Sequence, residues 1–481
     1  MFWLSIILGA AGGVGLILTN IIMGAAPTMV ATLPFLVLLV LPLRKLVKGY
    51  QVILLFLICL IPMDVFAVIP GADNSTTLFK ILFPFVFILF MGDRLLGDES
   101  PMPFNAMDKW LLFYALLNCI LVLMAVNRLQ ALDTMRRYIG MWAMYYLFSR
   151  ALAKRPWPDW TQTAVIFSAA ISVLFGLKAY IDGQNPFSEL GVGGLLVNDV
   201  RITGASGIDP NAYSILLIVA LLWAVVGSME KRDKIRLFYM ICAGLILTGI
   251  GLTYSRSAYL TLIASLIFLL LKIRKLLTPT HIVALFLLML SALPFAPDSI
   301  VDRFDTLFNT AQRQSDTSVQ RRTNYYNVAA NILKDHALLG CGPGNFPVLH
   351  QMAKYQDAPV LIGVPRMAHS MYLTVVTESG ILGFILFAGF LVSTYLRQIA
   401  IHRRLPGDVN FGLALICSFT ALLVMGLFLH LQQTKYLWLV FAMTRALDTK
   451  ELDTKEDDDE NGGDERKEKM DAPARAKGIK E

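Results

Sequence analysis

The stretch NAYSILLIVALLWAVVGSM, residues 211–229, decides the fold. It holds no charged side chain, and Glu230-Lys231-Arg232-Asp233-Lys234-Ile235-Arg236 follows at once. About 20 apolar residues are what an α-helix needs to cross a hydrocarbon layer of about 30 Å. A basic run directly after such a stretch marks the cytoplasmic side. Lipid offers no partner for backbone N–H and C=O, so only helices or closed barrels span it. Barrel strands would show period-two segments of about ten residues, and the chain has none.

The same pattern repeats outward in both directions. Apolar runs at 2–22, 26–43, 51–70, 78–92, 110–126, 138–152 and 161–181 precede it. Runs at 237–254, 257–271, 280–297, 370–396, 411–429 and 434–446 follow it, giving 14 candidate spans with it included. The pieces at 78–92 and 434–446 are short, so the reading is an all-α polytopic membrane protein of 12–14 helices. Composition agrees: 56% of the 481 residues are apolar, 16% are charged, and the mean hydropathy is +0.60. A soluble domain carries about a quarter charged residues. Met1–Ile22 lacks a basic leading region and a small-residue cleavage site, so it reads as a first membrane helix rather than a cleaved signal.

Basic clusters sit at Arg44-Lys45-Lys48, Arg150-Lys154-Arg155, Lys231 to Arg236, Lys272-Arg274-Lys275 and Arg397-Arg403-Arg404. Threading 14 spans between them puts every cluster on one side, with both termini there too. By the positive-inside rule that side is cytoplasmic. The opposite, periplasmic side then holds loops 71–77, 127–137, 182–210 and 298–369. The last is long enough to imply function, and its stretch 319–335 is helix-forming. The membrane bundle is thus expected over 1–446, with the large loop 298–369 inside it. Residues 447–481, with Glu456-Asp457-Asp458-Asp459-Glu460, read as a disordered charged cytoplasmic tail.

Outer loops should be poor in arginine, yet these carry several. Arg128, Arg136 and Arg137 share one loop; Arg201 precedes a span; Arg256 sits in Tyr254-Ser255-Arg256-Ser257-Ala258 at a tight outer turn. Arg321-Arg322 lead a segment of the long loop, and Arg366 lies three residues before His369. Ionisable groups at a membrane boundary are costly, and they pair, snorkel or line a functional cavity. Guanidinium forks suit phosphate oxygens. His369, read as beginning a span, is either a general base or an interfacial side chain. Glu378 lies further along that span, before Gly380 and Gly383, and is either a substrate contact or a buried group orienting a neighbour. Gly340-Cys341-Gly342-Pro343-Gly344-Asn345-Phe346 lacks the Lys-Ser/Thr of a P-loop and reads as a turn. No His, Cys, Asp and Glu cluster has metal-ligand spacing, and Cys59, Cys119, Cys242, Cys341 and Cys417 read as packing residues.

Three elements in order resemble the O-antigen ligase and polymerase superfamily of bacterial membrane glycosyltransferases. They are Ser255-Arg256-Ser257-Ala258; Arg322 with Tyr326, Lys334-Asp335-His336 and Gly340 to Phe346; and His369-Ser370-Met371-Tyr372-Leu373 with Glu378-Ser379-Gly380. Ser370, Tyr326 and Ala337 stand where the family commonly has Asn, Trp and Pro. The resemblance, over about 200–440, implies glycan transfer at the periplasmic face of the inner membrane. The donor it implies is an undecaprenyl-diphosphate-linked glycan, and the acceptor is lipid A–core or another glycan. It implies no cofactor and no metal, and surroundings of membrane lipid rather than nucleic acid. His369, Arg322 and Arg256 then become catalytic candidates, with Arg201, Arg321, Arg366 and Glu378 on substrate. A transporter of an anion or lipid-linked intermediate would use the same arginines, but it predicts internal repeats with broken spans, and the chain shows none. A scaffold leaves the outer arginines without a reason.

Overall fold

The structure is a computed structural model that describes residues 49–63, 77–96, 102–154, 156–182, 196–197, 201–206, 209–275, 317–357 and 362–448. Helices α1 (Gly49–Leu60), α2 (Leu78–Leu96), α3 (Ala106–Met124), α4 (Arg128–Ala151) and α5 (Trp157–Asp182) come first. After a two-residue antiparallel pair, β1 (Leu196–Val197) and β2 (Arg201–Ile202), come α6 (Pro210–Glu230), α7 (Asp233–Leu252) and α8 (Arg256–Ile273). Then follow α9 (Thr317–His336), α10 (Phe346–His350), α11 (Met371–Arg404), α12 (Phe411–Met425) and α13 (435–448). Eleven of the 14 predicted spans coincide with helices; those at 2–22, 26–43 and 280–297 lie outside the described residues, as do residues 449–481. Among the described residues, six helices are long and apolar enough to cross a membrane, and the chain is an all-α polytopic membrane protein.

The quoted stretch forms the middle of the bundle. In α6, 78% of the apolar window is buried, against 28% in α7 and 33% in α3 and α8. Helix α6 therefore packs against protein on most sides, while its neighbours turn apolar faces outward. Its partners are α5, α7, α8 and α12; α11 packs on α3 and α12. Some of the polar atoms inside bridge helices: the indole of Trp223 donates to Ser418 Oγ (3.1 Å), and Gln162 donates to the Trp223 carbonyl (3.1 Å). Buried polar groups without such partners would be costly in a dry interior.

Two expectations need correction here. Arg128, Arg136 and Arg137 are not in a loop, because α4 begins ten residues before the predicted span. Asn127 caps it, accepting from Gln130 N, and Asp133 pairs with Arg136 (2.9 Å) and Arg137 on one exposed face. Hydropathy cannot register a polar helix end, and capping plus i,i+3/i,i+4 pairing stabilise it. At the chain's other limit, the last helix runs through Asp448, past the predicted edge of the bundle.

One end of the bundle holds a buried ionic knot. Asp108 accepts from Arg445 Nε (2.8 Å) and Tyr145 OH (2.8 Å) and lies 3.7 Å from Arg150. Asp448 meets Arg397 (3.3 Å) and Asn105 (2.8 Å), and Arg445 also donates to the Pro103 carbonyl. These contacts tie the start of α3 and the end of α4 to the ends of α11 and α13. The opposite end gathers the starts of α4, α6, α8 and α11 with the loop segments.

Candidate functional site

His369 does not begin α11. Its backbone is left-handed, at φ 47°, and Ser370 caps the helix, accepting from Leu373 N. A non-glycine residue held there costs of order 1 kcal/mol or more, and such residues gather at functional sites. The twist takes the imidazole off the helix line, where it stacks on Tyr325 of α9 (centroids 5.5 Å, 29°). His369 is open to solvent on one side. Loss of water to its neighbours still pushes its pKa below the ordinary 6.5; nearby Asp209 opposes this, while Arg322 and Arg366 reinforce it. The ring is accordingly neutral, and able to accept a proton, at neutral pH.

The turn after α12 is the hub of this end. The Gly426 carbonyl accepts from Met371 N (2.7 Å) and Ser370 Oγ (3.3 Å), which fixes the turn beside His369. The Arg322 guanidinium lies over the Phe428 ring (5.3 Å). His430 meets His369 nearly perpendicular (centroids 5.9 Å, 74°). Arg366 points a buried Nε at no hydrogen-bond partner. Sequence reading missed His430 and Phe428 because they lay at the edge of a single apolar run. The available signal was the polar interruption His430-Leu431-Gln432-Gln433-Thr434-Lys435 between two spans.

The other predicted arginines separate by role. Arg201 donates through Nε to the Thr253 carbonyl (2.8 Å) and through Nη2 to Asn211 Oδ1 (3.0 Å). Ser255 Oγ donates to the same Asn211 oxygen (2.7 Å) and caps α8 at Ala258 N. Arg201 thus fastens the turn that carries Arg256. Arg256 is the first residue of α8, where its charge adds to the positive end of the helix dipole, a field that favours anions. Arg321 lies on α9 next to Arg322, and its side chain is outside the described residues.

Glu378 is buried, and its carboxylate is occupied by protein: it accepts from Gly344 N (2.8 Å) and Phe346 N (3.3 Å). Helix α11 breaks two residues later, at Gly380 (φ 68°). The break would orphan the carbonyls of Thr377 and Glu378 and the N–H groups of Ile381 and Leu382. Residues 337–342 take up all four. Cys341 N and Gly342 N donate to the two carbonyls (2.9 Å each), and Ile381 and Leu382 donate to the carbonyls of Ala337 (2.9 Å) and Leu338 (3.3 Å). Such exchange is what a broken helix needs at membrane depth. Gly340 (φ 73°) and Gly380 face each other, and a Cβ on either would strike the other's backbone. The glycine-rich segment is therefore a turn, as its sequence suggests, and it docks on α11 rather than on a phosphate.

This docking carries a small outer layer. Tyr325, Val328, Ile332, Cys341, Phe346 and Leu349 form its core. His350 is buried there, with Nδ1 3.0 Å from the Val364 carbonyl, and burial lowers its pKa too. Tyr325 links the layer to His369. Among the described residues, no three of His, Cys, Asp and Glu stand together as metal ligands.

Residues 241–388 match the family model described as O-antigen ligase. The match runs from within α7 through the broken first part of α11. It encloses Arg256, Arg322, Arg366, His369 and Glu378 together with the glycine exchange that holds them. Residues 241–388 are an O-antigen ligase domain. No curated protein matches the chain. The O-antigen ligase segment ends before the 426–430 turn, so half of the ring cluster around His369 comes from chain beyond it. The protein is a multi-pass membrane protein, and its matched segment is similar to a family of membrane glycan transfer.

Proposed function

We propose that this protein moves a glycan from undecaprenyl diphosphate to an acceptor hydroxyl at the periplasmic face of the inner membrane. The observation that carries the reading is the His369 ring, held off its helix in a left-handed backbone beside Arg322, Arg366 and Asp209. In the reaction the acceptor oxygen bonds to the anomeric carbon, and the bond from that carbon to the diphosphate oxygen breaks. The acceptor proton passes to a ring nitrogen of His369, and the bonding pair leaves with undecaprenyl diphosphate. Arg322 and Arg256 bind the diphosphate as its charge grows, and a preorganised cation does so without reorganising during the step. Arg366 offers its unpartnered Nε to the same anion or to a sugar hydroxyl. Arg201 and Glu378 act through the turns they fasten. The donor arrives activated, so neither nucleotide sugar nor cofactor enters.

The basic helix ends opposite this site support a cytoplasmic placement for both termini and a periplasmic placement for the 298–369 loop. The test is transfer by purified protein, with an undecaprenyl-diphosphate-linked oligosaccharide as donor. Lipid A–core and a second lipid-linked oligosaccharide are offered as acceptors, with and without chelator. Transfer to lipid A–core means a ligase, and chain extension means a polymerase. Donor binding without transfer to either acceptor would refute the proposal.

A further inference from the structure

Glycan transfer by one base leaves a second histidine without a task. His430 stands in the turn that Gly426 pins to Ser370 and Met371, so its place beside His369 is fixed by backbone as well as side-chain bonds. Its Nδ1 is buried and makes no hydrogen bond. A buried polar atom left unmatched calls for an explanation, and at this seat hydrogen bonding by Nδ1 is not what the imidazole supplies. What the imidazole does present to His369 is a flat ring of fixed orientation. Tyr325 stacks on His369 at 29°, which limits tilting, and His430 meets it at 74°, which limits swinging.

We propose that His430 is a positioning residue for the transfer step, acting by ring shape to hold His369 in the orientation that accepts the acceptor proton. The inference rests on the transfer reading above. It also assigns a role to a residue outside the matched O-antigen ligase segment. An aligned base gains its rate from geometry, so loosening it lowers turnover more than substrate binding. The charged and titratable groups around the pair are Asp209, Arg322, Arg366 and Tyr325. Removing the His430 ring would admit water to His369 without changing any of them, and would relieve part of the dehydration that lowers its pKa.

The test is steady-state transfer by the full-length protein, with the donor and acceptors named above, across pH 5 to 8. His430→Ala is expected to lower kcat at least ~10-fold, with acceptor KM within about threefold and the acid limb shifted up toward about 6.5. His430→Phe, which keeps a flat ring and drops both ring nitrogens, is expected to stay within about threefold of wild type with its acid limb in place. Wild-type turnover in His430→Ala would overturn the role. So would an inactive His430→Phe beside an active His430→Gln, because that pattern demands nitrogen chemistry. If the alanine variant does not fold, His430→Leu replaces it, and equal activity of the Leu and Phe variants overturns the role. A wild-type protein that binds donor and transfers nothing overturns the transfer reading and this inference together, whereas the other failures overturn only the part played by His430.

Discussion

The two ends of the bundle set their buried charge in different surroundings. At the end where α3 begins, Arg150 and Arg445 are buried against Asp108, and Arg397 meets Asp448. At the other end Arg322 lies over a phenylalanine ring, Arg366 keeps a buried Nε without a hydrogen bond, and Asp209 is the carboxylate acting on His369. Matched buried charge holds helices together, and removing one partner strands the other. Positive charge gathered beside a neutral histidine suits a ligand that brings its own negative charge. On the proposed function the first end serves the fold and the second serves chemistry, so substitutions at the two should fail in different assays.

The largest effect belongs to the chemical end. His369→Ala should lower transfer by roughly 10²–10⁴-fold, the range a general base contributes, with the protein still inserted and melting as wild type. A parallel loss of thermal stability would erase the contrast between the ends. At the other end, Asp108→Ala should cost about 3–5 kcal/mol, because it leaves buried Arg150 without its carboxylate and Arg445 with only its longer contact to Asp448 (3.8 Å). The readout is the fraction of monodisperse protein in detergent and its melting temperature. Unchanged stability there would mean that the ionic knot does not hold the helix ends.

Smaller effects sharpen the contrast. Arg256→Lys should impair transfer roughly 10-fold or more while leaving melting intact, since lysine offers a point charge where a diphosphate favours a planar fork. Near-normal transfer would assign Arg256 to the turn that Arg201 braces. The pH profile should show a single acid limb below 6.5, because only neutral His369 accepts a proton and its burial disfavours the charged form. A limb above 6.5 would mean that a carboxylate, not burial, governs the ring. Removing residues 450–481 should have the least effect, leaving transfer unchanged.

The same contrast explains what the sequence revealed. Span positions follow from apolar length, which is local, so α5, α6, α7 and α8 lie close to their predicted limits. The start of α4 was hidden because capping by Asn127 and pairing by Asp133 carry no hydropathy signal. Arg256, Arg322 and His369 were singled out in the sequence because charge at a boundary is rare and their motifs fall in order. Their true neighbours were not. Glu378 meets Gly344 and Phe346 across more than 30 residues, and His430 reaches His369 across a whole helical hairpin. The left-handed turn at His369 depends on where Ser370 caps α11, a tertiary outcome that helical periodicity cannot express.

The most direct measurement of the central claim is a single-turnover assay on donor-loaded protein, comparing wild type with His369→Ala after equal donor binding has been verified. The account predicts that both proteins hold the undecaprenyl-diphosphate glycan and that only wild type transfers it. Transfer by His369→Ala at the wild-type rate would contradict the account, because the proton would then have another destination.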